Sequence, residues 1–159
     1  MKITILCVGK IKEKYFTDAI AEYSKRLSRY CTFTIKEVSD EKTSENASDK
    51  EINIIKDKEG ERLLKVWDEN AFTIALCIDG KQLDSVELSQ KIDSVTVNGY
   101  SHIQFIIGGS LGLSEAVIRK ADFKLSFSKM TFPHQLMRVI LCEQIYRAFR
   151  IINNEPYHK

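Results

Sequence analysis

The sequence predicts an α/β domain built on a mostly parallel sheet flanked by helices. Three observations carry that prediction. Apolar runs at Lys2–Val8, Ala71–Ile78 and His102–Ile107 have the length and composition of strands buried on both faces. Stretches with helical spacing of apolar residues separate them. Cap residues and glycine stops fall where one pattern gives way to the other. The chain has 159 residues, no internal repeat and no composition break, which suits a single domain over 1–159.

The elements follow in order. Lys2–Val8 is the first strand. Lys12–Arg29 is helical, with Tyr15, Ile20, Tyr23 and Leu27 near one face. Thr32–Val38 alternates as a strand does, and Asp40–Ala47 is a polar loop. Ser48 with Glu51 three residues later forms a capping box that opens a helix running to about Trp67. After the strand Ala71–Ile78, Asp79-Gly80-Lys81 reads as a turn. Asp84 with Glu87 starts another helix, and Asn98-Gly99 stops it. The strand His102–Ile107 leads into the glycine loop Gly108-Gly109-Ser110-Leu111-Gly112 and a short helix from Ser114. A fifth strand covers Phe123–Phe127. Pro133 opens a long helix reaching about Ile152, followed by the tail Asn153–Lys159.

Composition excludes several classes. A chain 43% hydrophobic and 29% charged is neither disordered nor low-complexity. No apolar run approaches the roughly 20 residues of a membrane helix. The N-terminal run begins like a signal peptide but is short and ends in charge, so a cytoplasmic location is expected. Cys7, Cys31, Cys77 and Cys142 are widely spaced with no CxxC, which reads as core thiols rather than disulfides or a metal site. Residues 1–30 and 119–159 are basic overall, and residues 31–118 are acidic. A fold that joins the two ends makes a basic face suited to a polyanion. The bland alternative is ordinary solvated Lys and Arg.

Four constellations could carry chemistry. A strand followed by Gly108–Gly112 and a helix is the layout of a nucleotide-type site, although the loop is neither GxGxxG nor GxxxxGK[ST] and also reads as a plain turn. Leu125–Gln135 ends a strand in small polar residues before a helix start, with His134 and Arg138 four apart on one face. The long helix is apolar nearly all round, which suggests packing on the sheet and on a partner subunit; Glu143, Arg147 and Arg150 form a polar stripe, either an internal ion pair or arginines for phosphates. The tail Tyr157-His158-Lys159 suits stacking on bases and meeting phosphates, while composition alone favours a frayed end. His102 reads as structural. No glycosidase carboxylate pair and no GxSxG elbow is present.

Several of these segments together resemble one family. Phe105–Gly112, Leu125–Ser128, Met130-Thr131-Phe132-Pro133-His134-Gln135-Leu136-Met137-Arg138, Glu143–Ala148 and Pro156-Tyr157-His158 look like the SPOUT-class ribosomal RNA large subunit methyltransferase H family. Val8-Gly9-Lys10 and the total length also match, so the resemblance spans the chain. It implies an α/β fold with a deep C-terminal trefoil knot, which periodicity does not show. It also implies a cytoplasmic homodimer that uses S-adenosyl-L-methionine to methylate N3 of a pseudouridine in 23S rRNA of assembled ribosomes, with no DNA partner. Carried over by motif, the cofactor would be held by Leu76, Gly108, Phe127, Ser128, Lys129, Met130, Thr131 and Phe132. The RNA side would be lined by His134, Arg138, Arg147, Tyr157 and His158, from one or both subunits. Arg138 and Arg147 would hold phosphate or the developing anion, Tyr157 would stack, and His134 or His158 would assist proton loss.

Two other classes stay open at this stage. One is a non-catalytic ribosome- or RNA-binding protein that uses its basic ends alone. The other is an α/β enzyme that takes a different nucleotide.

Overall fold

A computed structural model describes residues 1–159. The chain runs β1 (Lys2–Val8), α1 (Lys14–Leu27), β2 (Thr32–Val38), α2 (Asp49–Lys65), β3 (Phe72–Gln82), α3 (Ser85–Val97), β4 (His102–Ile107), α4 (Glu115–Lys120), β5 (Phe123–Ser126) and α5 (His134–Ile152). All strand pairs are parallel, in the order β2-β1-β4-β3-β5. The expected α/β class is therefore observed, and every helix and strand boundary read from the sequence agrees to within two residues except the end of β3.

The period-two alternation of each central strand divides the core. Ile3, Ile5 and Cys7 of β1, with Ile103, Phe105 and Ile107 of β4, join the larger cluster, which Leu88 and Ile92 of α3 and Leu141, Cys142 and Ile145 of α5 complete. Leu6, Val8 and Ile106 point the other way, into a smaller cluster closed by Leu63 of α2 and Val117 of α4. Each fully buried Ile or Phe contributes roughly 1.5–3 kcal/mol. Near the amino ends of the strands the sheet carries a satisfied polar layer. His102 meets Thr4 Oγ1 (2.9 Å) and Asp68 Oδ2 (2.8 Å), and Gln104 donates to Thr73 Oγ1 (2.7 Å). This is the structural role expected of His102.

Helix starts follow the chemistry read from the sequence. Ser48 with Glu51 and Asp84 with Glu87 each form a complete capping box, and Ser114 caps α4. Gly99, at φ +95°, closes α3. The Cys7 and Cys142 thiols are buried and pushed up to about 12 by that burial, so neither is a nucleophile at neutral pH.

One expectation is corrected. Asp79-Gly80-Lys81 is not a turn that ends the strand. It lies inside β3, which bulges after Leu76 and pairs again with β5 through Lys81 with Leu125 and Gln82 with Ser126. The Asp-Gly pair signals a backbone irregularity in both cases. Here the glycine is required because β3 lies directly against β5: a Cβ at Gly80 would come within 2.7 Å of the Leu125 carbonyl carbon.

Candidate active site

β4, β3 and β5 are neighbours; β4 and β5 each continue into a loop singled out in the sequence, and β3 bulges at the same level. Leu76 lies at the bulge of β3, paired with Leu125 of β5, while Ala75 pairs with Ile106 two residues before Gly108. Register therefore gathers Leu76, Gly108 and the Phe127–Phe132 segment at one end of the sheet. The glycine loop folds tightly back on itself. Gly112 donates its N–H to the Gly109 carbonyl (3.1 Å), and a Cβ at Gly108 would meet the Gly112 carbonyl carbon at 2.6 Å. Ser126 Oγ donates to the Ser128 carbonyl (3.1 Å), and Ser128 Oγ accepts from the Met130 N–H (3.0 Å), shaping the next loop. Lys129, Met130 and Thr131 are exposed; Leu76, Phe127, Ser128 and Phe132 are half-buried. A cleft of about 300 Å³ adjoins this end, between Leu83–Leu88, Leu125–Phe127 and Ile140 and Gln144 of α5. Close backbone at Gly108, apolar walls and an open, polar-edged loop fit a nucleoside-type ligand.

The first turns of α5 sit over the end of β1. His134 is half-buried beside Gly9 (φ +85°), where an added Cβ would lie 3.6 Å from Nε2. Burial first, then the Arg138 charge, holds the His134 imidazole below its ordinary value, with Asp40 opposing. His134 is thus neutral at neutral pH and able to take a proton.

Arg138 overturns an expectation. It shares a helix with His134 as read, but it is wholly buried. Nη2 donates to the carbonyls of Val8 (2.8 Å) and Gly9 (2.7 Å), and Nη1 pairs with Glu37 (3.1 Å). A guanidinium with three committed acceptors and no solvent surface meets no phosphate. It fixes the ends of β1 and β2 under α5, and so positions Gly9 and His134.

The tail is the second correction. It does not fray. Glu155 accepts from Tyr30 Oη, and pairs with Arg150 (2.5 Å) and, at longer range, Arg29 (3.7 Å); Arg150 also donates to Tyr30 Oη (3.1 Å) and the Pro156 carbonyl (3.0 Å). This clasp, with Asn154 at φ +53°, turns the chain back along α5. Tyr157 then donates to Glu143 Oε1 (3.1 Å), sets its ring edge-on to Tyr146 (5.0 Å), and lies under Arg147, whose guanidinium carbon is 4.7 Å from the ring centre. Arg147 pairs with Glu143 (2.5 Å) and approaches His158 Nδ1 (3.3 Å). Burial, then the Glu143 bond, pushes the Tyr157 hydroxyl up, so it remains a donor. Glu143 in the helix stripe thus makes the i,i+4 pair and also orients the tail.

The structure therefore brings Arg147, Tyr157 and His158 together, and separately His134 and Arg138. Thirteen residues of helix separate His134 from Arg147, roughly 20 Å along α5. Sequence reasoning missed Tyr30, Glu155 and Glu37, because their partners are more than 100 residues away. It also missed Glu59, a buried carboxylate of α2 that accepts from the Glu41 N–H (3.1 Å) and packs on Gly109. Burial, opposed by that N–H, raises its pKa. Nothing in its charged surroundings in sequence marks it as buried.

A parallel sheet whose neighbouring strands β4, β3 and β5 set a glycine-rich loop, a bulge and a polar loop side by side is the frame of an α/β group-transfer enzyme. The family model described as "Predicted SPOUT methyltransferase" matches residues 1–158, which makes methyl transfer the class of reaction. Over all 159 residues the chain is 64% identical to the Ribosomal RNA large subunit methyltransferase H of Bifidobacterium adolescentis and 60% identical to that of Clostridium beijerinckii, covering 100% of each chain. The chain belongs to this family of SPOUT methyltransferases. At the level of fold alone it is similar to the crystal structure of tRNA (m1G37) methyltransferase from Aquifex aeolicus, with a TM-score of 0.50 and 12% identity over 92% of this chain and 70% of that one.

Proposed function

We propose that the protein transfers the methyl group of S-adenosyl-L-methionine to N3 of a pseudouridine in 23S rRNA of the assembled ribosome, acting as a cytoplasmic homodimer. The observation that carries this reading is the ordered Glu143–Arg147–Tyr157–His158 cluster, in a family whose relatives are named for ribosomal RNA. No helix is long and apolar enough to cross a membrane.

The sulfonium donor supplies an already activated methyl group, so the chain's work is alignment and proton removal. Leu76, Gly108 and Phe127–Phe132 would hold the donor. The family resemblance implies that the C-terminal segment is threaded as a trefoil knot around such a pocket. On the RNA side, Tyr157 stacks against the target base, stiffened by Arg147 above its ring. Arg147 offsets charge that develops as the imide proton leaves. Neutral His134 is the candidate acceptor of that proton, and exposed His158 the other.

Separation along α5 supports a site shared between subunits. One chain holds its tail cluster roughly 20 Å from its own His134. A dimer that sets one tail against the partner's strand ends brings both to one nucleotide. The apolar, half-exposed surface of α5 at Leu136, Val139 and Ile140 supports such pairing.

Methyl incorporation from labelled S-adenosylmethionine tests the proposal. Substrates are assembled ribosomes, free subunits and naked 23S rRNA from cells lacking the modification. Label on assembled ribosomes, mapped to pseudouridine N3, is the expected result. No label on any substrate, with intact donor, refutes it and leaves an RNA-binding protein.

A further inference from the structure

We propose that the groove between α1 and α5 binds the phosphate backbone of the ribosomal RNA beside the target nucleotide. The inference rests on the RNA substrate proposed above and extends its contact surface to a second element, α1, outside the donor loops and the tail.

The groove has a volume of about 270 Å³ and is lined mainly by Lys25, Arg26 and Arg29 of α1, Tyr30 just beyond it, and Tyr146 and Arg150 of α5. Its acids are already committed. Glu22 pairs with Arg26 (2.8 Å), and Glu155 with Arg150 (2.5 Å). Lys25 has no ion-pair partner, and Arg29 reaches only a long contact with Glu155 (3.7 Å) and keeps 73% of its side chain exposed. Positive charge is therefore left over, and it is on the open side.

The aromatic residues decide which part of a nucleic acid fits. Arg26 lies over the Tyr146 ring (5.7 Å) and the Tyr23 ring (5.6 Å), Arg150 over Tyr146 (6.0 Å), and Arg29 over Tyr30 (5.8 Å), while Tyr30 stacks on Phe149 at 10°. These rings hold guanidinium groups in place and are engaged by them. The groove thus presents fixed cations rather than free ring faces, a surface for phosphate and not for stacked bases. Continuity fixes which phosphates. Tyr146, the groove floor, is also the ring on which Tyr157 rests. A strand whose base meets Tyr157 carries its neighbouring phosphates along Tyr146 toward α1.

The test is steady-state methylation of assembled ribosomes by the full-length protein carrying Lys25→Glu together with Arg29→Gln. Both residues are exposed, so the melting temperature stays within about 2 °C of wild type. The expected result is a KM for ribosomes raised about tenfold, and a dependence of log KM on log salt shallower by about one to two. The kcat and the calorimetric affinity for S-adenosylmethionine match wild type. KM and salt slope equal to those of an active wild-type enzyme refute the groove alone. A variant that sediments as a monomer beside a dimeric wild type also refutes it, since the groove is then an interface between copies. A wild type that methylates no ribosome removes the RNA substrate and this inference with it.

Discussion

Replacing Arg138 with methionine removes a buried guanidinium while keeping most of the side-chain volume. The structure says what is lost. The Val8 and Gly9 carbonyls, bonded at 2.8 Å and 2.7 Å, are left inside the protein without a donor. Each costs about 1–3 kcal/mol. Glu37, 38% exposed, is rehydrated and adds little. The sum is about 3–5 kcal/mol, the range for breaking a buried ion pair from one side. For a chain of this size each kcal/mol lowers the melting temperature by roughly 2–4 °C, so a fall on the order of 10 °C is expected by calorimetry. Arg138→Lys keeps the charge but has one nitrogen in place of the two that reach Glu37 and the paired carbonyls, and falls in between. A melting temperature within about 3 °C of wild type, together with weaker RNA binding, refutes the structural assignment and restores Arg138 to the RNA face.

Other substitutions read the remaining features. Tyr157→Ala lowers methyl transfer on the order of a hundredfold at unchanged affinity for S-adenosylmethionine, whereas Tyr157→Phe, which loses only the Glu143 bond, costs about fivefold; rates and calorimetry together check this. Gly80→Ala places a methyl against the Leu125 backbone and destabilises by about 2–3 kcal/mol in urea titration, while Gly99→Ala, strained by φ +95° but with open space around it, costs about 1 kcal/mol. Equal costs at the two glycines count against the close β3–β5 contact at Gly80. Stability also depends on pH in a defined direction. His134 and His102 are both held below the ordinary histidine value by burial, so the unfolded chain binds more protons beneath about pH 6.5. Stability is complete above that value and falls as pH drops through it. His134→Gln removes one of the two contributions, and its urea midpoint changes less than wild type between pH 7.5 and 5.5; an identical change refutes the assignment.

The amino-acid sequence by itself determined the local elements of this protein. Apolar runs such as Ile3–Val8 and Ile103–Ile107 can only be satisfied between two layers of helices, and Ser48, Asp84 and Ser114 carry their helix-starting bonds within three residues. Glycine loop, Met130–Arg138 segment and tail were legible as candidates because each is a contiguous pattern. Tertiary structure alone decided what they do. Arg138 looks like a surface cation in sequence, but its acceptors lie near the start of the chain, at Val8, Gly9 and Glu37. The tail looks frayed until Tyr30, 125 residues away, clasps Glu155. Asp79-Gly80 looks like a turn until β5 lies against it. In each case the deciding partner is remote in sequence, and the energy of burying a charge or closing a hydrogen bond exists only once packing has brought that partner within reach.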